Sequence, residues 1–136
     1  MFDVKVYIGN YDKNEFYMLM GKFFAERIYR KCLPYLVNDK DKVWYLFFKE
    51  KDLAGFCGVK ICQKCTDIND IYYFEKYRND KILEFIANYI FNTYKLENIR
   101  LLTNKEEEKK VWKQLGFSVI GNKGSYSVMS WVKKDE

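Results

Sequence analysis

The stretch from Ile68 to Tyr94, INDIYYFEKYRNDKILEFIANYIFNTY, decides how the rest of the chain is read, because its hydrophobic period changes partway along. Ile68 to Phe74 has the apolar, aromatic character of a central strand. Beyond it, Ile82, Phe85, Ile86, Tyr89, Ile90 and Thr93 recur at steps of three and four, which predicts a helix over 80–94. Asn79 or Asp80 is placed to cap its first turn.

Working outward, Val43 to Lys49 (VWYLFFK) and Leu53 to Cys62 (LAGFCGVKIC) are nearly all apolar and flank the turn-like Glu50-Lys51-Asp52, so they predict a buried hairpin before the central strand. Upstream, Asp3 to Ile8 alternates as a strand with Val4, Val6 and Ile8 on one face. From Asn14, the residues Phe16, Leu19, Met20, Phe23, Phe24, Arg27 and Ile28 follow a helical rhythm that Pro34 should close by about Cys32. The polar run Asn38 to Lys42 is then a loop. Downstream, Ile99 to Thr103 is a strand, and Lys105 to Gln114 is a charged helix with Val111, Trp112 and Leu115 inward and Gly116 as its stop. Phe117 to Ile120 and Ser125 to Val132 form a closing hairpin around Gly121 to Gly124, and the last four residues a solvated tail. The order β, α, β, β, β, α, β, α, β, β, with no linker and no repeat, predicts a single α/β (α+β) domain over residues 1–136.

Composition narrows the chemistry. The chain has 136 residues, 49% hydrophobic and 19% aromatic, which suits a packed core and excludes a disordered chain. With 24 Lys and Arg, 19 Asp and Glu and no histidine, the charge of +5 favours acidic or phosphorylated partners while removing histidine triads, bases and metal ligands. No apolar run is long enough to span a bilayer and the first residues lack a leader pattern, so the expectation is a cytoplasmic protein with no membrane partner. Cys62 and Cys65 form a C-x-x-C pair at a strand end; a zinc site would need Cys32 and Cys57 to join them, and small core or loop residues in the reduced state are the better reading, with no metal expected.

The string Trp112-Lys113-Gln114-Leu115-Gly116-Phe117 ends a helix on a glycine and drops a ring into the core. Set in this element order, it resembles the ending typical of the GNAT family of acetyl-CoA-dependent N-acetyltransferases, with Gly116 and Phe117 kept. The resemblance covers nearly the whole chain and implies a mixed, mostly antiparallel sheet with helices on both faces, splayed between the fourth and fifth strands. It also implies acetyl-CoA, or another acyl-CoA, as co-substrate and an amine as acceptor. In the family a glycine-rich turn after the central strand cradles the coenzyme pyrophosphate on backbone amides at a helix start. The matching string here is Tyr77-Arg78-Asn79-Asp80-Lys81-Ile82-Leu83: Arg78 is kept, and Asn79, Lys81 and Leu83 stand at the glycine positions. By the same resemblance Tyr73, Phe74 and Asn104 line the cofactor gap; Asn104 reads equally well as a helix N-cap with Glu107 as its capping-box partner.

Acetyl transfer to an amine needs a base and an acid. Asp67, Asp70 and Glu75 flank the central strand as candidate bases. The family's usual general acid is a tyrosine at the position of Trp112, and indole cannot donate a proton to a thiolate; Tyr126 is the replacement considered. The run Glu106 to Lys110 is read as helix-surface pairing, Glu106 to Lys110. Two further classes stay open: a catalytically inactive GNAT-fold module that binds a protein partner, and a protein that binds or modifies nucleic acid through basic residues interleaved with aromatics, such as Arg27 to Lys31. The closing strand could pair across a homodimer.

Overall fold

The computed structural model describes residues 1–33 and 36–133. Pro34, read as a helix stop, and the tail residues Lys134 to Glu136 lie outside them. Seven strands, β1 (Asp3–Tyr7), β2 (Lys42–Lys49), β3 (Asp52–Ile61), β4 (Thr66–Tyr73), β5 (Ile99–Thr103), β6 (Ser118–Lys123) and β7 (Tyr126–Trp131), form one sheet in the order β1-β2-β3-β4-β5-β7-β6. Every neighbouring pair is antiparallel except β4 with β5. The architecture is the mixed sheet expected from the sequence, and the helices α1 (Lys13–Ala25), α2 (Arg27–Cys32), α3 (Ile82–Tyr94) and α4 (Glu106–Gln114) divide between its faces.

Each face carries its own core because the central stretches of β2 and β3, Val43 to Phe48 and Leu53 to Val59, have no charged residue on either face. Val43, Tyr45 and Phe47 point to one side, where Ile82, Ile86 and Ile90 of α3 and Trp112 of α4 cover them. Trp44, Leu46 and Phe56 point to the other, against Phe16, Met20 and Phe23 of α1. The rings pack edge-on, as in Phe23 against Phe56 at 4.9 Å and Trp112 against Phe117 at 4.9 Å.

Several local expectations are corrected. The first long helix breaks at Glu26, which is extended (φ −82°, ψ 133°) and turns α2 so that Tyr29 packs on Phe23 at 4.5 Å. Of the face expected on β1, an outer strand, only Val4 packs on the core: Val6 is exposed, as is Ile8 just beyond the strand, while Tyr7 and Phe2, the residue before the strand, are buried. Lys42, read as loop, opens β2 and is buried. Between β4 and α3 a short 3-10 helix, Glu75–Asp80, intervenes, held by the buried ring of Tyr77. Lys81 therefore takes the N-cap position of α3, in the left-handed region at φ 64°, and neither Asn79 nor Asp80 caps the helix. The closing strands run to Lys123 and from Tyr126, so the turn is shorter than predicted and centres on Gly124 at φ 61°.

Candidate active site

The site begins with a failure of pairing. β4 and β5 are registered only at Thr66 with Ile99, Asp67 with Arg100 and Ile68 with Leu101. Immediately beyond, β4 carries an extra residue: Val59 stands opposite Ile68 and Gly58 opposite Asp70, leaving Asn69 as a bulge. From there the strands part, and a cleft of about 290 Å³ opens between Asn69–Tyr72 on one side and Leu102–Lys105 on the other. Main-chain groups on the facing edges lose their ladder partners there, so the sheet offers donors and acceptors to a ligand. Ile68 of β4, Glu108 of α4, Lys123 of β6, Tyr126 of β7, and Cys32 and Leu33 at the end of α2 complete the lining.

Two buried carboxylates face this cleft. Asp70 receives the Lys42 ammonium at 2.5 Å, and both side chains are almost fully enclosed. The same ammonium donates to the Val37 carbonyl at 2.9 Å and lies 4.6 Å from the centre of the Trp44 ring. Gly58 makes this possible: a Cβ there would stand 2.8 Å from Lys42 Cε and 2.8 Å from the Trp44 ring, so only glycine lets the lysine cross the sheet to Asp70. Burial raises the Asp70 carboxyl against the opposing pull of Lys42.

The second carboxylate is Glu108, which sequence reasoning placed among surface charges. Its Oε1 accepts the Thr103 hydroxyl at 3.2 Å, and Lys105 Nζ reaches Oε2 only at 3.9 Å. Desolvation dominates, and the carboxyl is pushed up to about 7. The signal available in the sequence was helical phase: Glu108 is one turn before Trp112, which faces inward. Its neighbours in the run also depart from expectation. Glu106 pairs with Lys109 at 3.0 Å, not with Lys110, because the i,i+3 partner lies closer. Glu107 leaves α4 to accept the Tyr73 hydroxyl at 2.5 Å and the Arg78 guanidinium at 2.9 Å. Asn104 consequently has no capping box, since Lys105 is the N-cap of α4 and Thr103 Oγ1 takes its N–H at 3.2 Å.

The other sequence candidates scatter. Asp67 lies at the closed end of the β4–β5 pair, held by Arg100 at 3.2 and 3.3 Å and approached by the Cys65 thiol at 3.4 Å. Glu75 is exposed on the 3-10 helix and pairs with Arg78 at 3.0 Å. Asp70, Tyr126 and Asn104 do come together on the cleft. Tyr73 and Phe74 are not among the cleft's lining residues, where Tyr72 stands instead: Tyr73 is buried in the core with its hydroxyl on Glu107, and Phe74 is half-buried against it. At the start of α3 the bulk that replaces glycine is directed harmlessly: Ile82 and Leu83 are buried in the core, while Asn79 and Lys81 are exposed. Asp80, which would compete with an anion for the first amides of α3, is drawn off to Lys49 at 2.8 Å. Trp112 is fully buried, and its Nε1 has no hydrogen-bond partner among the described residues. Cys57 is buried in the core while Cys32 and Cys62 are exposed.

No family model matches the sequence, and no curated protein does. The likeness is one of structure. The Campylobacter jejuni N-acetyltransferase PseH in complex with acetyl coenzyme A superposes with a TM-score of 0.60 at 14% identity, over 98% of this chain and 100% of that one. The Thermoplasma acidophilum N-acetyltransferase PaiA in complex with coenzyme A gives 0.59 at 17% identity, over 97% and 99%. A GNAT-family acetyltransferase from Streptococcus pneumoniae gives 0.65 at 10% identity, over 98% and 100%. The chain has the GNAT acetyltransferase fold, with the fourth and fifth strands splayed as expected.

Proposed function

We propose that this protein binds an acyl-coenzyme A, acetyl-CoA in the simplest case, and transfers the acyl group to an amine. The observation that carries the reading is the opening of β4 from β5 at the Asn69 bulge, on the strand that leads through the 3-10 turn into a helix whose first turn no side chain caps. Free amides at a helix start attract phosphate, and the left-handed Lys81 following the 3-10 turn shapes the backbone concavity that anions favour. Arg78 and Lys81 supply positive charge beside it. Residues Arg78 to Leu83 would hold the diphosphate, Tyr73, Phe74 and Asn104 the arm of the coenzyme, and a main-chain N–H of β4 would polarise the thioester carbonyl. Coenzyme-bound proteins of the same fold support this reading. An amine acceptor, a primary amine on a small molecule or on a protein, would enter from the side of Tyr126.

A second reading is a binding module that has kept the scaffold without the chemistry. It draws on Arg78, which is already engaged by Glu75 and Glu107 and so meets a coenzyme only by exchanging partners. Thermal denaturation separates the two. A rise in Tm with acetyl-CoA, absent with free adenine, supports the transferase; no shift at millimolar acetyl-CoA supports the module.

A further inference from the structure

We propose that Glu108 is the group that takes the proton from the acceptor amine in this cleft. The proposal rests on the transferase reading and deepens it. Asp67 is held by Arg100 at the paired end of β4 and β5, and Glu75, exposed on the 3-10 helix, by Arg78. Asp70 faces the cleft, but its charge is balanced by Lys42 at 2.5 Å inside the protein. A proton placed on Asp70 would strand a buried ammonium, so that carboxylate is a poor acceptor. Glu108 is the reverse case: it faces the same cleft, only 7% of its side chain is exposed, one neutral hydroxyl at 3.2 Å satisfies it, and its nearest cation stands at 3.9 Å. Protonating it removes an ill-compensated buried charge.

The titratable groups around it are Lys105 and Glu107 from its own helix and its cap, Tyr73 from β4 and Cys57 from β3. Asp70, Lys123 and Tyr126 line the same cleft. Lys105 favours the carboxylate, while burial and Glu107 oppose it, and the balance holds the group up to about 7. A base with that affinity is half charged at neutral pH, the range in which proton transfer is most effective.

The step balances as follows. The Glu108 carboxylate removes one proton from R–NH3+, and the neutral amine attacks the thioester carbonyl. The C–N bond forms, the C–S bond breaks with its electron pair leaving on sulfur, and the nitrogen loses its second proton to water. The Glu108 proton passes to the thiolate, so the products are the amide, the free thiol and one released proton. Glu108 then serves as the base and also returns the proton to sulfur, the one role left without a residue where Trp112 stands in place of tyrosine.

The test uses the full chain, Glu108→Gln and Glu108→Asp. Calorimetry with acetyl-CoA comes first, and should give heat for the wild type and both variants. Absence of heat with the wild type overturns the transferase reading itself. Thiol release from acetyl-CoA, with water and with millimolar ethylenediamine as acceptors, is then followed from pH 5.5 to 9. The wild-type rate should climb about tenfold per pH below about 7 and level above it; Glu108→Gln should lose at least a hundredfold at pH 8 together with that limb, and Glu108→Asp should recover part of both. Carbon-13 NMR of the side-chain carboxyls should place the Glu108 midpoint near 7. Normal coenzyme binding combined with an unchanged profile in Glu108→Gln, no thiol release by the coenzyme-bound wild type, or a Glu108 midpoint near 4.5 would each overturn the assignment.

Discussion

Replacing Glu108 by Gln should make the protein more stable at alkaline pH and leave it unchanged in acid. In the unfolded chain this carboxyl titrates near its ordinary 4.5, and in the fold near 7. Below about pH 4.5 it is protonated in both states and contributes no difference. Between the two values the unfolded chain releases a proton that the fold retains, so stability falls as pH rises. Above about 7 the full cost is present; at 1.36 kcal/mol per tenfold change in proton affinity, the interval from 4.5 to about 7 amounts to roughly 3 kcal/mol. Glutamine keeps an oxygen for the Thr103 hydroxyl, so the variant removes the charge and little else. The raised Asp70 carboxyl acts alike in both proteins and cancels in the difference. Urea unfolding of the two proteins at pH 4, 6 and 8 measures the gap, which should grow from near zero to a few kcal/mol. An equal gap at all three values, or a less stable variant throughout, would refute the idea that burial of an uncompensated charge governs this position.

Three other changes probe the rest of the site. Glu107→Gln frees Arg78 from an ion pair whose members are 57% and 33% exposed, a contact worth about 0.2–1 kcal/mol, so acetyl-CoA should bind up to about fivefold tighter by calorimetry at low salt. Lys42→Met leaves Asp70 buried and alone and should cost about 3–5 kcal/mol in urea unfolding, most of it recovered by adding Asp70→Asn. Gly58→Ala drives a methyl to 2.8 Å from Lys42 and Trp44, and overpacking of about 1–3 kcal/mol should appear as a lower Tm.

How much of this was legible in the sequence depends on the range of the forces involved. Hydrophobic period located all seven strands and three helical stretches, the first of which is in fact the two helices α1 and α2, because β2, β3 and α3 are apolar at the positions the sheet and helix require. The splay between the fourth and fifth strands followed only from resemblance, since nothing local in Asn69 announces a bulge; the bulge falls where Gly58 and Asp70, opposite each other on neighbouring strands, both meet Lys42. Asp70 was found as an acid beside a central strand, while its partner Lys42 was hidden in a polar run that resembles a loop. Glu108 was missed for a similar reason: three consecutive glutamates look alike until helical phase sends one outward, one sideways to Tyr73 and Arg78, and one into the cleft. The start of α3 was misplaced by two residues because Tyr77 anchors a 3-10 turn through a tertiary contact.

Amide mapping by NMR during titration with acetyl-CoA shows whether the coenzyme enters the opened sheet. Saturable shifts should centre on two places, the parted stretch of β4 from Asn69 to Tyr73 and the first turn of α3 from Lys81 to Glu84, and Arg78→Ala should weaken the titration. Unchanged amides at both places with millimolar acetyl-CoA would contradict binding there.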